Sequence, residues 1–146
     1  MYKRQIETIL RLNSDSKHSF NGVLAMDELP KTRQKGSYVI NLDDHDEPGS
    51  HWVAVWCDNE KVEYMDPFGL PPLDDRCLLF LGSDVRYNTV KMQLLLSNAC
   101  GFYCVYFVIK RASGLAANSI IETLRRTDSD YVVKDYVYSR YKPIFN

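Results

Sequence analysis

Four side chains of this 146-residue chain have the chemistry needed for nucleophilic acyl transfer: a thiol at Cys100, an imidazole at His51, a carboxylate at Asp66 and a carboxamide at Gln93. In that chemistry a thiolate attacks a carbonyl carbon and an imidazole moves the proton. A carboxylate orients the imidazole, and an amide donates to the developing oxyanion. Taken singly, each residue has a plainer interpretation, because most cysteines in small domains are buried hydrophobes and an Asp-Pro pair commonly marks a turn.

Cys100 differs from the other three cysteines in its position. It precedes a long apolar run, which places it at the first turn of a predicted helix, where free N–H groups and the helix dipole favour a thiolate. Cys57 is predicted to end a strand, Cys77 to lie on a short helix and Cys104 to lie one turn inside the buried helix, so we predict core thiols there. A zinc site of Cys100, Cys104 and His51 is a weaker alternative, because the spacing is unusual and a fourth ligand is missing.

His51 is the best candidate base among the three histidines. His18 and His45 stand in polar stretches, whereas His51 opens a predicted strand beside Trp52. If this strand and the next one pair as an antiparallel hairpin, Asp66 returns to the level of His51. The sequence therefore predicts that an imidazole and an orienting carboxylate meet at one end of a sheet.

The spacing of apolar and turn-forming residues predicts the elements that hold these side chains. A first helix is predicted from the apolar positions Ile6, Ile9, Leu10 and Leu12, and residues 20–23 are predicted as a turn. The middle of the chain is predicted to contain strands at 37–42, 51–57, 62–65 and 85–90, and a short helix at 73–81. The last third is predicted to be helical, with one helix at 100–112, one beginning at the capping box Ser119–Glu122, and one opened by Thr127–Asp130 that reaches about Tyr141.

This order of elements predicts an α+β fold, in which helices flank a central mixed or antiparallel sheet. Both sets of alternating positions in 51–57 are apolar, so this strand is predicted to be central and covered on both faces. Segment 100–112 is apolar all round, which predicts a buried central helix with Cys100 at its N-terminus. No repeat or linker interrupts the chain, and we expect residues 1–146 to form a single domain.

Composition and charge exclude several functional classes. Hydrophobic residues make up 45% of the chain, enough for one substantial core. Lys and Arg number 18 against 19 Asp and Glu, so a broad basic field for nucleic acid is not expected. The longest apolar run is too short for a membrane span and the first residues lack the centre of a secretory signal. We therefore expect an intracellular protein whose four cysteines remain thiols.

The joint order of four motifs resembles the adenovirus protease family, the adenain-like cysteine proteases, which are related to the SUMO-specific proteases. The motifs are His51-Trp52, Asp66-Pro67-Phe68-Gly69, Gln93, and the run Ser-Asn-Ala-Cys-Gly-Phe-Tyr-Cys at 97–104. Residues 20–30 also resemble the early cleft-forming stretch of that family, so the resemblance covers residues 20–112.

The resemblance implies a papain-like fold and a role for each motif residue. Cys100 would be the nucleophile, His51 the base, Asp66 its orienting acid and Gln93 an oxyanion donor. The substrate-binding residues would be Trp52, Asp27, Glu28 and Gly101. The acid differs from the adenovirus enzymes, which carry Glu, and matches the Asp that is usual in the SUMO proteases. Strand 85–90 lacks the cysteine that tethers an activating peptide in adenoviruses, so no disulfide-linked peptide cofactor is expected, and no metal or other cofactor is expected either.

The expected function is that of a cysteine endopeptidase that cuts after a small residue, glycine above all, and matures structural precursors of a virus or virus-like element. Alternatives are removal of ubiquitin-like or SUMO-like modifiers, acetyl transfer, and an inactive protein-binding module. The expected partner is a polypeptide, either a viral precursor or a modifier conjugate, and no membrane. A nucleic-acid activator is left open, although the charge does not indicate one. The expected location is the host nucleus or cytoplasm, with packaging into virions as a further option.

Overall fold

A mixed five-stranded sheet lies at the centre of the computed structural model, which describes residues 1–126 and 128–146. The strands follow chain order across the sheet: β1 Phe20–Ala25, β2 Gly36–Asn41, β3 Trp52–Cys57, β4 Val62–Met65 and β5 Val85–Tyr87. The inner pairs β2–β3 and β3–β4 are antiparallel, whereas β1–β2 and β4–β5 are parallel. The predicted central mixed sheet is therefore confirmed.

Helices cover both faces of this sheet. The described residues contain five α-helices: α1 Lys3–Leu12, α2 Asp75–Leu81, α3 Cys100–Ala112, α4 Ala117–Arg125 and α5 Ser129–Tyr141. On one face, α1, α3, α4 and α5 share a core with Val39, Ala54 and Met65. On the other face, α2 packs against Val53 and Val55. Since successive residues of a strand point to opposite faces, β3 is covered on both sides, as its sequence predicts.

Helix α3 is the buried central helix expected from its sequence. It begins at Cys100 and ends at Ala112, as predicted, and it packs against β3 and three other helices. Tyr103, Cys104 and Val105 are completely buried. A fully apolar surface is stable only when all sides of the helix are covered, and here the sheet and helices α1, α4 and α5 cover them.

The turn predicted at residues 20–23 is wrong, because these residues begin strand β1. The glycine of the Asn-Gly pair, Gly22, has a φ of 144°, and the register with β2 shifts between Phe20 and Gly22. The pair therefore forms a bulge rather than a chain reversal, after which β1 continues parallel to β2.

Several boundaries also differ from the predicted ones. Helix α2 begins at Asp75 rather than at residue 73, because the side chain of Asp74 accepts a hydrogen bond from the Arg76 N–H and caps the helix. Strand β5 ends at Tyr87 instead of residue 90. Leu12, counted on the apolar face of α1, is largely exposed.

The capping box predicted at Ser119 is wrong, because α4 begins at Ala117 and Ser119 lies inside the helix. Helix α5 runs from Ser129 to Tyr141, and Thr127, part of its predicted start, lies outside the described residues. Within 1–126 and 128–146, none of the helices has the length and apolarity needed to cross a bilayer.

Candidate active site

His51 and Asp66 meet at the ends of two neighbouring strands. His51 directly precedes β3 and Asp66 directly follows β4, and the antiparallel register places Ala54 opposite Met65. The hairpin therefore returns Asp66 to the level of His51, and the distance from His51 Nε2 to Asp66 Oδ1 is 2.7 Å. The two side chains are only 11% and 2% exposed, so their interaction is weakly screened by solvent.

The turn after β4 fixes the orientation of this pair. The Phe68 N–H donates to Asp66 Oδ1 at 2.8 Å, and the Phe68 ring stacks on the His51 ring with centroids 4.8 Å apart. Asn88 and Asp66 exchange two hydrogen bonds, from the Asp66 N–H to Asn88 Oδ1 at 2.9 Å and from Asn88 Nδ2 to the Asp66 carbonyl at 2.7 Å. Sequence reasoning missed Asn88, because it placed this residue inside the predicted strand 85–90, whereas β5 ends at Tyr87 and frees the Asn88 side chain to bond the Asp66 backbone.

Gly69 allows this turn to pack closely against the segment that leads to Gln93. Its φ is +73°, and a Cβ at this position would lie 2.8 Å from the carbonyl carbon of Val90 and 2.9 Å from the amide nitrogen of Lys91. Both atoms belong to the backbone and cannot rotate away. The glycine of the Asp-Pro-Phe-Gly motif is thus required by its conformation and by close contact.

Gly69→Ala is expected to lower the free energy of unfolding by about 1–3 kcal/mol, because it adds a backbone clash to a strained φ. Gly114→Ala is the matched control, since Gly114 also has a positive φ but nothing lies within 4 Å of its Cβ position. Chemical denaturation of the two variants measures the difference. Equal losses of stability would contradict the close contact at Gly69.

Cys100 lies at the start of α3, beside His51. The residue before it, Ala99, provides no capping side chain, so the first N–H groups of the helix remain free to stabilise an anion. Burial raises the pKa of Cys100, but the His51 ring and the backbone N–H groups of Trp52 and Gly101 outweigh this effect and lower it below its ordinary value. The nucleophilic thiolate is favoured at this position.

The same contacts favour the protonated form of His51. Burial lowers the pKa of His51, but its interactions with Asp66 and Cys100 outweigh burial and raise it to about 9. His51 is therefore protonated at neutral pH, and the lowered pKa of Cys100 shifts this thiol towards the thiolate. Such pairs often tighten only when substrate binds.

The other three cysteines lack this environment. All four are free thiols, and Cys57, Cys77 and Cys104 are buried, as predicted for core thiols. Burial raises the pKa of Cys57 and of Cys77 to about 11. Burial also raises the pKa of Cys104 well above its ordinary value, although Cys104 lies one turn from Cys100.

Gln93 is held between the turn after β4 and the segment before Cys100. Its backbone N–H donates to the Pro67 carbonyl at 3.0 Å, and its side-chain Nε2 donates to the Ser97 carbonyl at 2.8 Å. The side chain is almost completely buried, and its Oε1 has no hydrogen-bond partner among the described residues. Since a carboxamide nitrogen carries two hydrogens, the bond to Ser97 leaves one of them unused.

Two of the predicted substrate-binding residues line a common cavity. Trp52 and Glu28 face a cavity of about 500 Å³, together with Ala25, Asn41 and Gly49. Trp52 directly follows His51, so the cavity lies one residue along the chain from the candidate base.

The other two predicted substrate-binding residues have structural contacts of their own. The Asp27 carboxylate accepts a hydrogen bond from the His45 N–H at 2.8 Å and also contacts the His45 ring. Gly101 presents its N–H to Cys100, but a Cβ on Gly101 would lie 2.9 Å from that of Met1. The backbone of Gly101 belongs to the site, whereas its Cα packs against the first residues of the chain.

Comparison with known proteins first gives a relative in a giant virus. No protein-family model matches the chain. The "Putative thiol protease R355" of Acanthamoeba polyphaga mimivirus is 30% identical over 96 residues, which cover 57% of this chain and 32% of the relative. The chain therefore spans about a third of the length of this curated protein.

Solved structures give a likeness over nearly the whole chain. The ASFV pS273R protease superposes with a TM-score of 0.63 and 19% identity, over 92% of this chain and 64% of that one. This chain has the fold of the ASFV pS273R protease. The SUMO protease Ulp1, with its catalytic cysteine oxidized to a sulfinic acid, gives a TM-score of 0.46 and 13% identity over 92% of this chain and 78% of its own.

The fold of the pS273R protease is the fold that the motif order predicts. The predicted resemblance and the α+β class are therefore confirmed at the level of the fold. The chain covers 64% of the pS273R protease, so part of that protein lies outside the superposed residues.

Proposed function

We propose that this chain is a cysteine endopeptidase in which Cys100 is the nucleophile, His51 transfers the proton and Asp66 orients His51. The observation that carries the proposal is the buried His51–Asp66 pair at 2.7 Å beside a thiol whose pKa is lowered at the start of a helix. Perturbed groups brought together in this way are typical of catalytic sites.

In the proposed reaction, the Cys100 thiolate attacks the carbonyl carbon of the scissile peptide. The developing oxyanion accepts hydrogen bonds from the Cys100 N–H and from Gln93 Nε2. Protonated His51 then donates its proton to the leaving amine, which leaves a thioester on Cys100. His51 next removes a proton from water, the water oxygen attacks the thioester, and the C–S bond breaks, which releases the acid product and restores the Cys100 thiolate beside protonated His51.

The proposed substrate is a polypeptide cut after a small residue, with glycine as the expected one, and the proposed role is maturation of viral structural precursors. The residue preference rests on the motif resemblance. The viral role is supported by the mimivirus relative and by the shared fold with a protease of ASFV. The cavity lined by Trp52 provides room for substrate residues near the strand end that carries His51.

Incubation with a peptide library tests this proposal, with the cut sites mapped by mass spectrometry for the wild type and for Cys100→Ala. We expect cuts after small residues that disappear in the variant. A parallel incubation uses conjugates of ubiquitin-like modifiers. Cleavage of conjugates alone would replace the endopeptidase by a deconjugating enzyme. Absence of cleavage in both incubations would contradict the proposal and favour a binding module.

Activity is expected to depend on pH through the coupled Cys100–His51 pair, with kcat/KM falling on the alkaline side near pH 9 as His51 loses its proton. Asp66 raises the pKa of His51, so Asp66→Asn is expected to move this limb towards the ordinary value of 6.5 and to slow turnover. Rates measured from pH 5 to 10, a range chosen to bracket ordinary and raised values, give the two profiles. Superimposable profiles would leave Asp66 as a turn residue only.

A further inference from the structure

Three polar side chains, two of them buried and one half-buried, form a cluster between α3, α5 and the segment that carries Gln93. They are Tyr103 on α3 and Ser129 and Asp130 at the start of α5. The Tyr103 hydroxyl lies 2.6 Å from Asp130 Oδ1 and 2.6 Å from Ser129 Oγ. The Met92 carbonyl lies 3.2 Å from the Tyr103 hydroxyl and 3.1 Å from Ser129 Oγ. Each hydroxyl carries one hydrogen, so Tyr103 donates to the Asp130 carboxylate, while Ser129 has both the Tyr103 oxygen and the Met92 carbonyl within reach as acceptors.

Burial keeps the Tyr103 phenol protonated. Tyr103 is completely buried and Ser129 is 3% exposed. Burial, together with the nearby Asp130 carboxylate, raises the pKa of Tyr103 above its ordinary value, so the phenol remains a donor throughout the working range. Hydrogen bonds of a phenol to a carboxylate are stronger and shorter than those between neutral groups.

The cluster holds the residues on both sides of Gln93. Met92 is held through its carbonyl, and the Leu94 N–H donates to Asp130 Oδ1 at 3.4 Å. From the opposite side, the N–H groups of Met92 and Gln93 both donate to the Pro67 carbonyl, at 2.9 and 3.0 Å. The backbone that carries Gln93 is therefore fixed between the turn after β4 and the start of α5.

We propose that Tyr103, acting with Ser129 and Asp130, is a positioning residue that holds Gln93 where the oxyanion develops. This inference rests on the proposed function. A phenylalanine would fill the same volume, so the hydroxyl is needed for its hydrogen bonds rather than for packing. A displacement of about 1 Å at a reacting group can lower the rate by as much as 10²-fold. A hydroxyl that holds the Gln93 backbone in place can therefore affect the rate without touching the substrate. Through this cluster α5 contributes to the site, although the motif resemblance ends at residue 112.

Tyr103→Phe is expected to lower kcat about ten- to hundredfold and to leave KM within about twofold, because an oxyanion donor acts on charge that appears only in the transition state. Gln93→Ala is expected to cost roughly 10²–10³ in kcat. In the Gln93→Ala background, Tyr103→Phe is then expected to change kcat by less than about twofold, because the group it positions is absent. Tyr106→Phe is the matched control, since Tyr106 lies on the same helix and its hydroxyl makes no hydrogen bond with a described residue.

If the two substitutions lower kcat independently, so that their fold-losses multiply in the double variant, the inference is overturned. Independent losses would mean that Tyr103→Phe acts through a general packing defect and not through Gln93. Slower alkylation of Cys100 in Tyr103→Phe would also overturn it, since the cluster would then act on the nucleophile. A further readout needs no turnover: the ¹⁵N signals of the Gln93 side-chain amide, assigned by their loss in Gln93→Ala. They are expected to shift in Tyr103→Phe and not in Tyr106→Phe. If the wild type cleaves nothing, the proposed function fails, whereas an unchanged Gln93 signal refutes the positioning itself.

Discussion

Cys100→Ala is expected to abolish turnover and to leave the fold intact. The substitution removes the sulfur that forms the thioester, and loss of a covalent nucleophile costs roughly 10⁴-fold or more. The structural cost is small, because Cys100 is only half-buried and alanine is the best helix former at the first position of α3. Turnover assays and chemical denaturation of the same preparation measure the two effects separately.

Cys77→Ala is the control for this experiment. Cys77 lies on α2, on the opposite face of the sheet, so its substitution is expected to reduce stability and retain cleavage. Residual cleavage by Cys100→Ala within tenfold of the wild type would exclude Cys100 as the nucleophile. Loss of folding in Cys100→Ala would be visible in the denaturation curve and would call for Cys100→Ser instead.

Iodoacetamide is expected to modify Cys100 at least about 10³-fold faster than any other cysteine at neutral pH. Alkylation requires a thiolate that the reagent can reach. With a pKa of about 11, Cys57 and Cys77 are ionised only to about one part in 10⁴ at pH 7, and both are buried. Peptide mapping of singly labelled protein by mass spectrometry reads the selectivity directly.

Cys104 is the most informative comparison, because it lies on the same helix and differs from Cys100 in burial and in its neighbours. Selectivity is expected to disappear in denaturant, where all four thiols lose their environments. It is expected to weaken in His51→Ala, because the imidazolium that favours the thiolate is absent. Even labelling of the four cysteines in the native state would refute an activated nucleophile and favour the inactive binding module.

The sequence predicted many of the strands and helices around the candidate site, because the spacing of apolar residues within each short segment determines them. Apolar residues on both sets of alternating positions predicted β3 as a central strand, and the short loop after it predicted the hairpin that joins His51 to Asp66. The apolar run after Cys100 predicted α3 with its correct ends. In each case the signal lies within a dozen residues, and the packing of the whole chain agrees with it.

The remaining features depend on contacts between distant residues, which a local pattern does not contain. Asn88 holds the backbone of Asp66 from the far end of β5, and Tyr103 meets Ser129 and Asp130 from another helix. The turn predicted from the Asn-Gly pair at 21–22 was wrong for the same reason. Pairing with β2 places these residues in a strand, where the glycine forms a bulge and not a chain reversal.

In the proposed mechanism, the turn after β4 supports two chemical tasks at once. Through Asp66 and Phe68 it orients the imidazole, and through the Pro67 carbonyl it anchors the backbone of the amide donor. Proton transfer and oxyanion stabilisation therefore both depend on the position of this turn, and a change in the turn that alters one is expected to alter the other. Redesign of the protein for a new pH range or a new leaving group would have to begin elsewhere, in the strand end of His51 or in the start of α5.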